Sequence, residues 1–60
     1  MSGDFLDYDL ASDYTRLSTR TLRRAVVERE LAHIKRGRRI IFRRRDLDQW
    51  LSRYTVKAVQ

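Results

Sequence analysis

The sequence predicts a small, mainly α-helical domain carrying one β-hairpin. Three observations lead there. Apolar residues recur at helical spacing in three separate stretches, a β-branched stretch before the last of them is broken by a single glycine, Gly37, and 60 residues leave room for only one domain. A chain of this length buries about 60% of the surface its unfolded form exposes. Its core is therefore thin, and a catalytic cavity with its own scaffold is not expected.

Residues 1–8 carry Phe5, Leu6 and Tyr8 among Asp and Gly, too few for a helix, and read as an extended acidic lead-in lying over the core. From Asp9 the pattern changes. Leu10, Ala11, Tyr14 and Leu17 fall at i, i+1, i+4 and i+7, which predicts a first helix over residues 9–15 with Tyr14 in the core. Ser18 is a favoured N-cap, because its hydroxyl accepts from a backbone N–H two or three residues on. The stripe Thr21, Leu22, Ala25 and Val26 then predicts a second helix from Ser18 to near Arg29. Only Arg16 and Leu17 separate the two helices, the length of a helix-turn-helix turn.

The hairpin follows from alternation. If Ile34 shares the buried face with Ile40 and Phe42, the loop between the strands contains an odd number of residues. A loop of Arg36, Gly37 and Arg38 satisfies this, pairing Lys35 with Arg39, Ile34 with Ile40 and Ala32 with Phe42. The same parity sends His33 and Ile41 to the solvent side. Leu47, Trp50, Leu51 and Tyr54 at i, i+3, i+4 and i+7 predict a third helix over residues 44–54, with Trp50 at the centre of the core. Asp46 and Asp48 fall in its first turns, where the helix dipole favours negative charge. The domain proper thus spans residues 9–54, and residues 55–60 form a tail.

Composition excludes several functions. With no cysteine there is no disulfide framework, zinc finger or thiol nucleophile, and the single His33 cannot build a metal cluster. No enzyme activity, cofactor, metal or small-molecule ligand is expected. No apolar run approaches the roughly 20 residues that span a bilayer, and the first ten residues are acidic where a signal peptide is basic. A soluble, intracellular protein is the expectation.

The net charge of +6 is unevenly spread. Residues 1–15 hold Asp4, Asp7, Asp9 and Asp13 and no base, a net −4. Residues 16–45 hold 12 bases against Glu28 and Glu30, a net +10, and residues 46–60 balance to zero. Ten net charges of one sign within thirty residues repel strongly in a compact domain unless a polyanion lies beside them. Arg outnumbers Lys 12 to 2, and the planar guanidinium suits bidentate recognition of phosphate and guanine. Double-stranded DNA is the partner this pattern points to, ahead of a merely solvated basic face.

Helix, tight turn, helix and arginine-tipped hairpin is the order of a winged helix-turn-helix. The segments ASDYTRLSTRTLRRAV, IKRGRRIIF and RRRDLDQWL, in that order over roughly residues 9–54, resemble the DNA-binding domain shared by phage excisionases and MerR-like regulators. The resemblance is strongest to small excisionases, the directionality factors of tyrosine integrases. It implies that the second helix enters the major groove, that the wing lies against the neighbouring minor groove or backbone, and that the protein works on DNA in the cytoplasm of a bacterial host. Arg16 and Arg29 stand where the family often has glycine, and Ala32 where it often has proline, which leaves the path at residues 28–32 open.

On the second helix the inward stripe leaves Arg20, Arg23, Arg24 and Val27 outside. Arg20 and Arg23 are the candidates for base edges, with Ser18, Thr19 and Arg24 nearer phosphate. Lys35, Arg36, Arg38 and Arg39 at the wing suit phosphates or a narrow minor groove. Arg16, Arg43, Arg44 and Arg45 are weaker backbone candidates, the last three equally readable as a solvated triplet. Val27, Ile41 or the acidic N-terminal segment would contact neighbouring copies on DNA. Together these features, with the resemblance, predict an excisionase that bends DNA, binds several short sites and directs a tyrosine integrase toward excision. The alternative is a small phage or plasmid transcriptional repressor.

Overall fold

The computed structural model describes residues 4–58. A short strand, β1 (Phe5–Leu6), precedes helices α1 (Tyr8–Thr15) and α2 (Thr19–Val27); strands β2 (Ile34–Arg36) and β3 (Arg39–Arg43) form a hairpin that runs directly into helix α3 (Arg44–Ser52). The three strands make an antiparallel sheet in the order β1-β3-β2. The fold is a winged helix-turn-helix, as the order of elements predicts.

Local chemistry sets each boundary. Asp7 caps α1, its carboxylate accepting from the Leu10 N–H at 2.9 Å, so the helix begins at Tyr8, one residue before the predicted start. Ser18 caps α2 as expected, its Oγ accepting from the Thr21 N–H at 3.1 Å. The N-cap of α3 is Arg43, whose side chain makes no cap hydrogen bond; instead the Arg44 N–H donates to the Asp4 carbonyl at 2.9 Å, tying the helix start to the N-terminal strand. This helix stops at Ser52, two residues short of the predicted end.

The two connections around α2 each turn on an arginine in the left-handed region. Arg16 has φ 65° and its N–H donates to the Ser12 carbonyl at 2.8 Å. The Ser12 hydroxyl in turn donates to the Leu17 carbonyl at 2.6 Å. Arg29 has φ 60°, with its N–H donating to the Val26 carbonyl at 3.0 Å and the Glu30 N–H donating to the Ala25 carbonyl at 2.9 Å. That pair of bonds is the Schellman helix end, here built on arginine rather than glycine. It settles the path at residues 28–32, and it carries Leu31 into the core at 1% exposure.

The core consists of Leu6, Ala11, Leu22, Ala25, Leu31, Phe42, Leu47 and Trp50, with Tyr8, Leu17, Val26, Ile40 and Leu51 packed partly against it. Trp50 sits where the sequence places it. Tyr14 does not: it is 41% exposed, and Leu10 is 54% exposed. α1 instead presents Ala11, fully buried, and Tyr8, whose ring meets Phe42 edge-on at 5.2 Å. The small Ala11 side chain allows the close approach that turns Leu10 and Tyr14 outward. Thr21, assigned to the inward stripe of α2, is also exposed.

The hairpin register differs from the predicted one by one residue. Ile34 pairs with Ile41, Lys35 with Ile40 and Arg36 with Arg39, so the loop is the two residues Gly37 and Arg38 rather than three. Gly37 has φ +61° at the first loop position, where a two-residue hairpin turn favours glycine. Partners across a ladder share a face. Ile40 and Phe42 therefore lie on one face, on which Lys35 stays exposed at the wing, and Ile34 shares the other face with Ile41. β1 extends the same sheet, with Phe5 opposite Arg43 and Leu6 opposite Phe42. Of the predicted extended lead-in, Phe5 and Leu6 form an edge strand that buries Leu6, Tyr8 belongs to α1, and residues 1–3 lie outside the described residues.

Candidate nucleic-acid interface

α2 is amphipathic. With Leu22 and Ala25 buried, its outer stripe is Arg20, Arg23, Arg24 and Val27, all exposed. Ser18 and Thr19 start this helix, but the Ser18 hydroxyl is occupied by the cap and by the Thr21 hydroxyl at 2.9 Å, and Thr19 is half-buried. The exposed arginines are the charged groups on the outer face of α2, and the exposed Ser18 hydroxyl also serves the helix cap. The guanidinium of Arg23 lies 5.1 Å from the centre of the Tyr8 ring.

The wing concentrates charge by its register. Arg36 and Arg39 face each other across the turn, Arg38 stands within it, and Lys35 lies one position back on the opposite face; all four are exposed. Like charges directly opposite on a ladder destabilise a sheet. Exposed to water, the charges are screened, and an anion lying alongside would relieve the repulsion that remains.

The remaining basic residues divide. Arg16 is exposed at the helix-turn-helix turn and frames a polar recess with Ser12, Asp13, Leu17 and Ser18. Arg43, Arg44 and Arg45 border a shallow recess with Asp4 and Phe5. Within that triplet, Arg43 Nε donates to Asp46 Oδ2 at 3.0 Å, and Arg44 lies 5.8 Å from the centre of the Tyr14 ring. The Tyr14 hydroxyl donates to Asp48 Oδ1, which holds the phenol's pKa above its usual value. One neighbour of these arginines escaped the sequence reading: Tyr8, read as part of the extended lead-in, lies beneath Arg23.

Among the described residues no three of His, Asp and Glu gather closely enough to hold a metal ion, and no helix is long and apolar enough to cross a membrane. The Helix-turn-helix domain family matches residues 6–55, nearly the whole described chain. The chain belongs to the helix-turn-helix family. As a helix-turn-helix protein it is a DNA-binding domain, with α2 following the turn and the β2–β3 hairpin as its wing. No curated protein and no solved structure is significantly similar to it.

Proposed function

We propose that this helix-turn-helix protein is an excisionase, a DNA-bending protein that binds near a phage attachment site and directs a tyrosine integrase toward excision. One observation carries the reading: exposed arginines sit on two projecting elements, Arg20, Arg23 and Arg24 on α2 and Arg36, Arg38 and Arg39 on the wing. A protein that neutralises phosphates from two such elements favours a duplex curved toward it, because bending costs only a few kcal/mol and each added contact offsets it. The family also includes excisionase-like proteins.

In this mechanism α2 enters the major groove, Arg20 and Arg23 meet base edges, and Arg24 meets phosphate. Lys35, Arg36, Arg38 and Arg39 hold the flanking backbone or minor groove, assisted by Arg16 and by Arg44 and Arg45 at the start of α3. Neighbouring copies meet through oppositely charged surfaces, the Asp9 and Asp13 side of α1 against the basic side of the next molecule. The protein performs no strand chemistry; it lowers the deformation cost of the curved path on which the integrase assembles.

The test is in vitro recombination with a purified integrase, with and without this protein, on paired attachment-site substrates. Stimulated excision supports the proposal. Unaffected excision combined with silencing of a nearby promoter overturns it in favour of a transcriptional repressor.

A further inference from the structure

Three arginines project from α2, and the structure gives only one of them a fixed seat. Arg23 lies over the Tyr8 ring at 5.1 Å, and Tyr8 is itself held edge-on against the fully buried Phe42 at 5.2 Å. Arg20 and Arg24 make no comparable contact among the described residues. A cation on an aromatic face is attracted through the ring's π charge, and that attraction engages none of the guanidinium's N–H donors. The contrast with Arg43 is direct, since Arg43 commits its Nε–H to Asp46. Seated on Tyr8, Arg23 keeps its planar fork of donors free while losing rotamer freedom before any ligand arrives. Prepaying that entropy increases affinity and sharpens geometry.

We propose that Tyr8 is a positioning residue for DNA recognition: held between Phe42 and Arg23, it pre-orders Arg23 for bidentate recognition of a guanine edge or a phosphate. The inference rests on the DNA-recognition role proposed for α2. Core rigidity then reaches the interface along one chain of contacts, Phe42 to Tyr8 to Arg23, joining β3, α1 and α2.

The experiment compares the wild type with Tyr8→Phe, which keeps the ring, and Tyr8→Leu, which keeps apolar bulk without it. The probes are a duplex selected by the wild type from a random library and poly(dI-dC) as non-specific DNA. Tyr8→Phe should bind the selected duplex within about 2-fold of the wild type. Tyr8→Leu should lose about 3- to 5-fold on it, with little change on poly(dI-dC), and should lose little more when Arg23→Ala is added. Equal losses on both DNAs, or fully additive effects with Arg23→Ala, overturn the proposal. Should Tyr8→Leu fail to fold, heteronuclear NOE values at the arginine Nε–H groups of the free wild-type protein decide the matter. Arg23 should be more ordered than Arg20 and Arg24, and equal mobility overturns the inference. A wild type that shows no preference for any selected duplex overturns the recognition role of α2 and this inference with it. A wild type that discriminates while Tyr8→Leu discriminates equally removes only the role of Tyr8.

Discussion

Arg43 Nε donates to Asp46 Oδ2 at 3.0 Å, joining the last residue of β3 to the first turn of α3. The Arg43 side chain is 42% exposed and that of Asp46 12%, so the pair is only partly shielded from water. Asp46→Asn should cost stability by no more than about 1 kcal/mol, as measured by urea denaturation. It should also release Arg43 toward DNA, making the slope of log affinity against log salt steeper by about 0.9. An unchanged slope shows that releasing Arg43 adds no phosphate contact.

Arg16 and Arg29 occupy backbone conformations that L side chains adopt at a cost of about 1–2 kcal/mol. Replacing either by Gly should raise stability by about 0.5–1 kcal/mol, visible as a higher Tm, whereas Arg29→Ala should give no such gain. If Arg16 contacts phosphate, Arg16→Gly also weakens DNA binding while it stabilises the fold. Opposite signs in the two measurements identify a residue kept for binding rather than for folding.

Arg20 is exposed in the first turn of α2, the part of a recognition helix that reaches base edges. Arg20→Ala should cost about 1–3 kcal/mol on the selected duplex and much less on non-specific DNA. Equal losses reduce it to a phosphate contact. With six to eight phosphates neutralised, the wild-type salt slope should be about −5 to −7. A slope near −2 is incompatible with a footprint on both α2 and the wing.

Phe42 is fully buried, faces Leu6 across the sheet and holds the edge of the Tyr8 ring. Truncating a buried Phe to Ala costs about 3–5 kcal/mol, comparable to the entire stability of a domain this size. Phe42→Ala should therefore leave no cooperative unfolding transition by circular dichroism. A sharp transition would show that the sheet contributes less than its position suggests.

Tyr14 and Tyr54 both have pKa values above the usual 10.0, chiefly because their hydroxyls donate to Asp48 and Glu30. Tyr8 is raised chiefly by burial, with Arg23 opposing. The fold favours the neutral phenol in all three. Their contribution is therefore complete below the unfolded value of 10.0 and is lost as pH rises through the higher folded values. Urea denaturation should show no tyrosine-linked change near neutral pH and a decline beyond about pH 10, shallower in the Tyr14→Phe, Tyr54→Phe double variant.

The helices were legible because their signals are local: Ser18 as a cap, Leu22 with Ala25, and Leu47 with Trp50 all lie within one or two turns of each other. The hairpin register was not, because it was anchored on Ile34 sharing the buried face of Ile40 and Phe42, whereas Ile34 is 37% exposed and lies on the face of Ile41. Only the two-residue turn at Gly37 fixes it. The outward Leu10 and Tyr14 were equally illegible, since the preference for Ala11 depends on how closely α1 approaches the rest of the fold. β1 was hidden for a different reason: two residues show no period, and their pairing with Phe42 and Arg43 joins distant parts of the chain. In the candidate site, composition exposed the charge, but the seat of Arg23 on Tyr8 required the tertiary fold.

β3 divides its two edges between different neighbours. Arg39, Ile40 and Ile41 pair with β2, while Phe42 and Arg43 pair with β1, and Arg44 is fastened to Asp4. Mechanically the strand is a cantilever, clamped at its C-terminal end by the N-terminal segment and loaded at its free end by the wing. On the proposed mode of binding, a load placed on Arg36, Arg38 or Arg39 would pass along β3 to the pairing with Phe5 and Leu6, so the stiffness of the wing would be set at the opposite end of the sheet.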